Sequence, residues 1–389
     1  MSEQAAVITR TPIGTKGKSH VFFPNLDGLR FFCFLSVFFY HSFSTGYSYI
    51  LSSPTYIFIK RDIFFNGNLG VNFFFVLSGF LITFLLLKEK EVTGKIHVPN
   101  FYIRRVLRIW PLFYFCVFFG FVIFPILEML LKQPTHEPAQ SLYYLFFINN
   151  FDAIKHYPNS YVLLVLWSVA IEEQFYLTWP LLLTFTPTKY YKYLFISIII
   201  ASFIYRAINY NSPRAGFNTL SNISDMAVGG FAAYLTFKDS WLRRKVKSFS
   251  TLTIVLIYIS AVVLYFFRSS IFNSVPWLIP FDRLVVSIVF ALIILEQCFS
   301  EKSFYKMGNF KLLSRLGQYT YGLYCLHEIA IFITKVVLGK LHLNSQLWQL
   351  LILEGGMSLL LSLALAYVSY TFYESRFLKL KNKFAFVTK

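Results

Sequence analysis

The chain has 389 residues, of which 56% are apolar and only 14% charged, and its mean hydropathy is +0.57. Soluble domains average about 45–50% apolar and about 25% charged residues, so the composition excludes an ordinary soluble fold. The length is therefore better divided into membrane spans than into soluble domains. The net charge of +18 does not indicate nucleic acid, because the basic residues fall between apolar runs, as in the cytoplasmic loops of membrane proteins.

The apolar runs predict ten membrane spans, taking about 20 residues as the length of one crossing. In chain order these are Phe31–Tyr49, Leu69–Leu87, Val106–Leu131, Val162–Phe185, Tyr193–Asn209, Ile223–Phe237, Phe249–Phe267, Leu278–Cys298, Tyr319–Leu338 and Leu347–Tyr370. The sixth has the weakest pattern, because it is short and contains Asp225, Gly229 and Gly230. The predicted fold class is an all-α, polytopic integral membrane protein.

The distribution of lysine and arginine orients these spans, since cytoplasmic loops retain both residue types. With a cytoplasmic N-terminus and ten spans, most of the 36 basic residues fall on the cytoplasmic side. Without the sixth span every later loop would change sides, so the charge bias supports ten spans and two cytoplasmic termini. The predicted organisation is a flexible tail at 1–21, a membrane domain at 22–376 and a basic tail at 377–389.

The four cysteines are scattered singly and show neither disulfide nor metal-type spacing. They are Cys33, Cys116, Cys298 and Cys325. We therefore expect no metal site.

Ionisable side chains inside apolar spans are candidate functional residues, because each costs about 2.5–3.5 kcal/mol at the centre of a span. Arg30 and His41 are eleven residues apart, which on a helix is three turns plus about 20°. They should share one face, about 16 Å apart along the axis, with His41 near the middle of the membrane. A neutral histidine suits proton acceptance near neutral pH, although a packing role for His41 stays open.

Two further groups lie at the third and fourth spans. Arg105 and Arg108 are i,i+3 neighbours that could converge on one phosphate, or could anchor the span by the positive-inside rule. Glu172 and Glu173 point about 100° apart and cannot form a facing acid–base pair. Glu172 could orient His41 or bond an acceptor hydroxyl, whereas Glu173 is expected to pair with an intramembrane arginine.

The remaining polar positions favour structural interpretations. His327, Glu328 and Glu374 are expected to belong to buried polar networks. Ser78 and Gly79 would allow close helix approach or leave room for a ligand. Ser78 is not favoured as a nucleophile, because the sequence identifies no base beside it.

Five segments in order carry a resemblance to a known family. They are Asn25-Leu26-Asp27-Gly28-Leu29-Arg30 followed by His41, the Phe-Phe-Val-Leu-Ser-Gly-Phe-Leu-Ile run within 71–82, the arginines of 101–111, and the segments 167–180 and 316–327. Over about residues 22–376 the chain resembles the acyltransferase family 3 membrane proteins. The resemblance implies a ten-span, inner-membrane enzyme that moves an acyl group, usually acetyl, from cytoplasmic acyl-CoA to a hydroxyl, often on a surface polysaccharide or its lipid-linked precursor.

The resemblance also implies site residues. The family's arginine, first-span histidine and RxxR pair, which are needed for activity, fall on Arg30, His41, Arg105 and Arg108, and its span-four glutamate falls on Glu172. Some members carry a C-terminal extracytoplasmic SGNH hydrolase-like domain. We expect this chain to lack that domain and to deliver acyl groups directly or through a separate partner.

These observations lead to one mechanistic hypothesis. The phosphates of CoA dock on Arg30, Arg105 and Arg108, the pantetheine arm follows the first helix, and His41 acts as general base on the acceptor hydroxyl. A covalent acyl-His41 intermediate is the less favoured variant. The expected partners are acyl-CoA, a carbohydrate or lipid-linked glycan, and the bilayer.

Two other classes of protein stay open. A proton-coupled transporter or flippase of small polar solutes would also bury ionisable groups, although no paired repeats are visible in the sequence. A membrane scaffold would leave His41 and Glu172 unexplained.

Overall fold

The computed structural model describes residues 19–21, 23–133, 136–212, 214–385 and 387–388, so most of the tail predicted at 1–21 lies outside the described residues. The long helices of the described chain are α1 (Pro24–His41), α2 (Leu69–Thr93), α3 (Val98–Phe118), α4 (Leu166–Phe185), α5 (Tyr191–Asn209), α6 (Thr219–Thr236), α7 (Thr251–Phe272), α8 (Ile279–Phe299), α9 (Thr320–Lys340) and α10 (Gly355–Val368). Each corresponds to one predicted span.

Short helical pieces extend or connect these helices. The α-helical pieces are Ser48–Leu51, Pro54–Ile57, Phe124–Leu130, Ser141–Leu145, Asn149–Lys155, Tyr161–Leu164, Trp241–Lys247, Lys311–Leu316 and Ser375–Lys381. The π-helical pieces are Phe58–Ile63, Phe119–Ile123, Gln349–Glu354 and Ser369–Glu374. The 3-10 pieces are Phe65–Asn68, Thr188–Tyr190, Ala215–Phe217, Pro276–Leu278, Met307–Asn309, Gly317–Tyr319 and Asn382–Phe384. Two short strands, Ser19–His20 and Val387–Thr388, pair in parallel.

Within the described residues, eight helical runs are long and apolar enough to cross a membrane. The two other long helices, α1 and α6, have 18 residues each and correspond to the first and sixth predicted spans. The prediction of an all-helical, polytopic membrane protein is confirmed. The count of ten spans and the cytoplasmic location of both termini stay predictions.

The first helix begins and ends earlier than its apolar run suggests. Pro24 occupies its first turn, where the missing N–H costs no hydrogen bond. The helix ends at His41, because Ser42 is extended and Phe43 has a positive φ of 67°. The prediction of a helix as far as Tyr49 is therefore wrong, and His41 is the last residue of α1.

The closest helix packing joins α2 to α6. A Cβ atom on Gly229 would lie 1.9 Å from the carbonyl oxygen of Val76, and one on Gly79 would lie 2.0 Å from that of Met226. Only glycine allows backbones to approach this closely. The close approach predicted at Gly79 is confirmed, and the glycine that weakened the sixth apolar run proves to be a packing residue.

A buried ion pair joins α6 to α8, another of its neighbours. The carboxylate of Asp225 is fully buried and accepts hydrogen bonds from Arg283 Nε at 2.9 Å and from Ser287 Oγ at 2.7 Å. Asn72 of α2 donates to the same carboxylate at 3.2 Å. Asp225 therefore has a structural explanation inside a predicted span, because its charge is paired and hydrogen-bonded.

The C-terminal residues pack against α3. The chain is helical through most of residues 349–384, so the basic tail predicted at 377–389 is largely helix up to Phe384. Arg104 donates to the carbonyl of Phe384 at 2.8 Å and to Glu89 at 2.9 Å. These contacts give Arg104 a structural role, which separates it from Arg105 and Arg108.

Candidate functional site

Two imidazoles and a carboxylate meet where α1 ends, and we call His41, His327 and Glu328 the histidine cluster. His41 is the last residue of α1, while His327 and Glu328 lie in α9. His41 Nδ1 lies 3.0 Å from His327 Nε2, and Glu328 Oε1 lies 3.5 Å from each of these nitrogens. The side chain of His41 is 19% exposed, against 0% for His327 and 5% for Glu328. The ring of His41 therefore faces the interior of the bundle.

Lys60 closes the end of α1 beside this cluster. Its Nζ donates to the carbonyl oxygens of Tyr40 and Ser42, each at 2.6 Å. The last carbonyls of a helix lack partners within the helix, and a lysine is a favourable group there. Lys60 thus stabilises the C-terminal end of α1, where His41 is the last residue.

The three predicted arginines also come together, and we call Arg30, Arg105 and Arg108 the arginine cluster. Arg108 lies within electrostatic reach of both others. Arg30 forms an ion pair with Asp27 one turn earlier. The guanidinium of Arg105 stacks on the ring of Tyr176, with its carbon 5.1 Å from the ring centroid.

Two of these guanidinium groups keep donors available. Arg105 Nε is buried and has no hydrogen-bond partner among the described residues. Arg108 makes no hydrogen bond or ion pair within the described chain; Glu172 and Glu374 lie within its electrostatic reach. Buried or half-buried guanidinium groups with free donors are well suited to bind an anion of fixed geometry.

Glu172 lies beside the arginine cluster rather than beside the histidine cluster. Its two carboxylate oxygens accept hydrogen bonds from Ser78 Oγ at 2.8 Å and from Tyr176 Oη at 3.0 Å. It lies within electrostatic reach of Arg105 and Arg108. Glu172 therefore lies near the arginines, and residues other than Glu172 must orient His41. The structure also puts a carboxylate beside Ser78, which the sequence could not show.

The neighbouring Glu173 faces another direction, as the 100° offset requires. Its Oε2 accepts a hydrogen bond from the indole of Trp110 at 2.9 Å. Within the described residues it forms no direct ion pair with an arginine, although Arg105 lies within electrostatic reach. Trp110 also lines an open groove of about 490 Å³ whose other walls are Pro111, Tyr114, Phe115, Phe118, Tyr373 and Phe377. The groove is almost wholly aromatic and apolar, as expected of a surface in contact with membrane lipid.

A pair of hydroxyl groups connects the two clusters. Ser168 Oγ and Tyr324 Oη lie 2.6 Å apart and are buried. Ser168 is one turn from Glu172 on α4, and Tyr324 is one turn from His327 on α9. At 1.5 Å per residue, the distance along the helix axes from Glu172 to His327 is about 10 Å. Polar side chains therefore follow one another from the arginine cluster to the histidine cluster.

The site combines three chemical capacities. The arginine cluster can bind an anionic group, the imidazole of His41 can accept or donate a proton, and the hydroxyls between them can bond a polar chain. The two imidazoles and Glu328 are also possible metal ligands, with their ligand atoms within 4.8 Å of one another. The sequence gave no sign of this group of possible ligands. Its two histidines are 286 residues apart in the chain, and the expectation of no metal site was based on the cysteines alone.

The fold and this site define a polytopic helical membrane domain with an internal polar site. The chain belongs to the family described as the acyltransferase domain, whose model matches residues 23–371. It is 28% identical over 388 residues to the O-acetyltransferase OatA of Staphylococcus aureus strain NCTC 8325 / PS 47, covering 95% of this chain and 59% of the relative. OatA of strain COL matches with the same identity and coverage.

The chain thus spans about 59% of the length of these curated relatives. No solved structure matches it significantly. Membership of the family confirms the resemblance found in the sequence.

Proposed function

We propose that this chain is a multi-pass O-acyltransferase domain of the inner, or plasma, membrane. It moves an acyl group, acetyl in the first instance, from cytoplasmic acyl-CoA to a hydroxyl of a glycan or lipid-linked sugar. Family membership and the names of the relatives support this class of reaction. The observation that carries the proposal is the series of polar side chains that joins a cluster of arginines to an inward-facing imidazole.

The donor binds at the arginine cluster. Arg105 and Arg108 present guanidinium donors to the phosphates of CoA, where charge-assisted hydrogen bonds are strong. Arg30 contributes positive charge that is partly offset by Asp27. The pantetheine arm then extends along the hydroxyls of Ser78, Tyr176 and Tyr324 and brings the thioester towards His41.

Glu172 acts at the donor end of this path. Its carboxylate fixes the hydroxyls of Ser78 and Tyr176, and its negative charge offsets part of the charge of the arginines. A site built from arginines alone would bind the donor more tightly in the ground state and the transition state alike, which lowers KM without raising kcat.

His41 acts as general base in the transfer. Its imidazole takes the proton from the acceptor hydroxyl while the hydroxyl oxygen attacks the carbonyl carbon of the thioester. The carbon–sulfur bond then breaks, the new ester forms, and the departing CoA thiolate receives the proton from the imidazolium. The proton and the acyl group are thereby both accounted for, and no acyl-enzyme intermediate is required.

The test uses membranes that contain the full chain, radiolabelled acetyl-CoA and the native acceptors. We expect the wild type to transfer label to glycan or lipid, and His41→Ala to lose about 100-fold or more of this activity, as is typical for removal of a general base. His342→Asn is the matched control, because His342 is exposed and has a positive φ of 56° that asparagine tolerates.

Transfer retained by His41→Ala would refute the assignment of the base. Uptake of a solute without labelling of any acceptor would favour the transporter class instead.

A further inference from the structure

We propose that His327 and Glu328 are positioning residues for His41, which they hold in the one tautomer that can act as a base and whose positive charge they stabilise after proton transfer. This inference rests on the proposed function, in which His41 takes the proton of the acceptor. Neither residue was expected from the sequence to do more than join a buried network.

The tautomers follow from the direction of the hydrogen bonds. His327 Nδ1 lies 2.7 Å from the carbonyl oxygen of Tyr324, which can only accept, so Nδ1 of His327 carries the hydrogen. In the neutral ring Nε2 is then an acceptor, and it faces His41 Nδ1 at 3.0 Å. His41 Nδ1 must therefore be the donor in this contact.

The tautomer determines the state of Nε2, the other ring nitrogen of His41. With its hydrogen on Nδ1, neutral His41 has its lone pair on Nε2, the atom left to face the acceptor hydroxyl. A partner that fixes the tautomer and orientation of a catalytic imidazole is a recurrent feature of acyl-transfer sites. Here a backbone carbonyl fixes His327, and His327 in turn fixes His41.

Glu328 supplies the opposing charge. Its Oε1 is buried, has no hydrogen-bond partner among the described residues, and lies 3.5 Å from both ring nitrogens. At this distance it is an electrostatic partner rather than a hydrogen-bond acceptor. It therefore interacts weakly with neutral His41 and strongly with the imidazolium that forms during transfer, which is the differential interaction that lowers a barrier.

A divalent metal ion is the alternative use of these three groups. Their spacing of 3.0–3.5 Å would also suit three ligands of a tetrahedral ion. The ammonium of Lys60 is within electrostatic reach of Glu328 and already opposes its charge, and His41 and His327 satisfy one another without an ion. We therefore favour the hydrogen-bonded arrangement, and the test includes a metal analysis.

The experiment compares His327→Gln with His327→Leu in steady-state transfer from acetyl-CoA. The amide oxygen of glutamine can accept from His41 Nδ1 in place of the imidazole, whereas leucine cannot. We expect His327→Leu to lower kcat by about 100-fold and His327→Gln to stay within about tenfold of wild type, with KM for acetyl-CoA within about twofold in both. Glu328→Gln, which keeps the size but removes the charge, should lower kcat by about tenfold or more without changing KM.

The controls separate this inference from the function on which it rests. An active His41→Ala variant would overturn the proposed function itself. With His41→Ala inactive, an unchanged kcat in His327→Leu, or equal losses in the leucine and glutamine variants, would overturn the positioning role. If His327→Leu does not fold, the Glu328→Gln variant is the test. An unchanged kcat in Glu328→Gln would refute the proposal that Glu328 stabilises the imidazolium of His41. One equivalent of zinc in the purified wild type, lost in His327→Gln, would establish a metal site instead.

Discussion

The contact between α2 and α6 allows a sharp test of how packing supports the site. In Gly229→Ala the new methyl group would lie 1.9 Å from the carbonyl oxygen of Val76 and 2.9 Å from the backbone nitrogen of Phe80. Ordinary contact begins at 3.4 Å, so the first distance is about 1.5 Å too short. Both contacts are with backbone atoms, which cannot rotate away, so the helices must separate.

The expected cost follows from overpacking. Inserting a methyl group into a close-packed interior costs about 1–3 kcal/mol in the free energy of unfolding. The strained segment, Val76 to Phe80, contains Ser78, whose hydrogen bond to Glu172 is 2.8 Å long. A separation of about 1 Å would break this bond, because hydrogen bonds weaken well before 3.6 Å. We therefore expect Gly229→Ala to lose both thermal stability and acyl transfer.

The four native cysteines provide the assay. Cys116, Cys298 and Cys325 are buried and Cys33 is half-buried, so a thiol-reactive dye should report unfolding in detergent as the temperature rises. Gly356→Ala is the matched control, because a Cβ atom there meets nothing within 4 Å and α10 should gain about 0.5–1 kcal/mol from the better helix former. Equal melting temperatures for the two alanine variants would refute the packing argument.

Two further predictions concern charged residues. Replacing Arg105 and Arg108 together by alanine should raise KM for acyl-CoA more than it lowers kcat, because these residues are proposed to bind the donor rather than to take part in the chemistry. Initial rates over a range of donor concentrations give both constants. Asp225→Ala should cost about 3 kcal/mol in the dye assay, because it leaves the largely buried Arg283, whose side chain is 15% exposed, without its partner. Asp239→Ala removes only an exposed ion pair and should leave the melting curve unchanged.

Opposite outcomes would contradict these two arguments. A fall in kcat with constant KM would remove Arg105 and Arg108 from donor binding. Equal melting curves for Asp225→Ala and Asp239→Ala would show that the buried pair does not hold α6 in place.

The helices themselves were largely predictable, because each depends on a local run of apolar residues. The predicted span Val162–Phe185 and the helical run Tyr161–Phe185 agree to one residue. The main error was the end of the first helix. Phe43 takes a left-handed conformation that a phenylalanine has no local reason to adopt, and the aromatic residues after His41 continue an apolar pattern that suggested a longer helix.

The candidate site was predictable in part. The eleven-residue spacing correctly related Arg30 and His41 as residues of one helix, and the RxxR spacing related Arg105 and Arg108. The role of Ser78 was judged from the sequence without its neighbour Glu172, which lies 94 residues later in the chain. Glu173 was expected to pair with an arginine; its hydrogen bond is instead to Trp110, and Arg105 lies only within electrostatic reach of it.

The sequence by itself determined that this chain is a helical membrane protein of the acyltransferase domain family, because apolar runs, charge bias and short motifs are local properties. Tertiary structure alone decided which polar groups meet. His41 and His327 are 286 residues apart, and the close contact of α2 with α6 depends on glycines in two different helices. Such pairings arise from how the helices pack against one another, and no periodicity within a single helix contains that information.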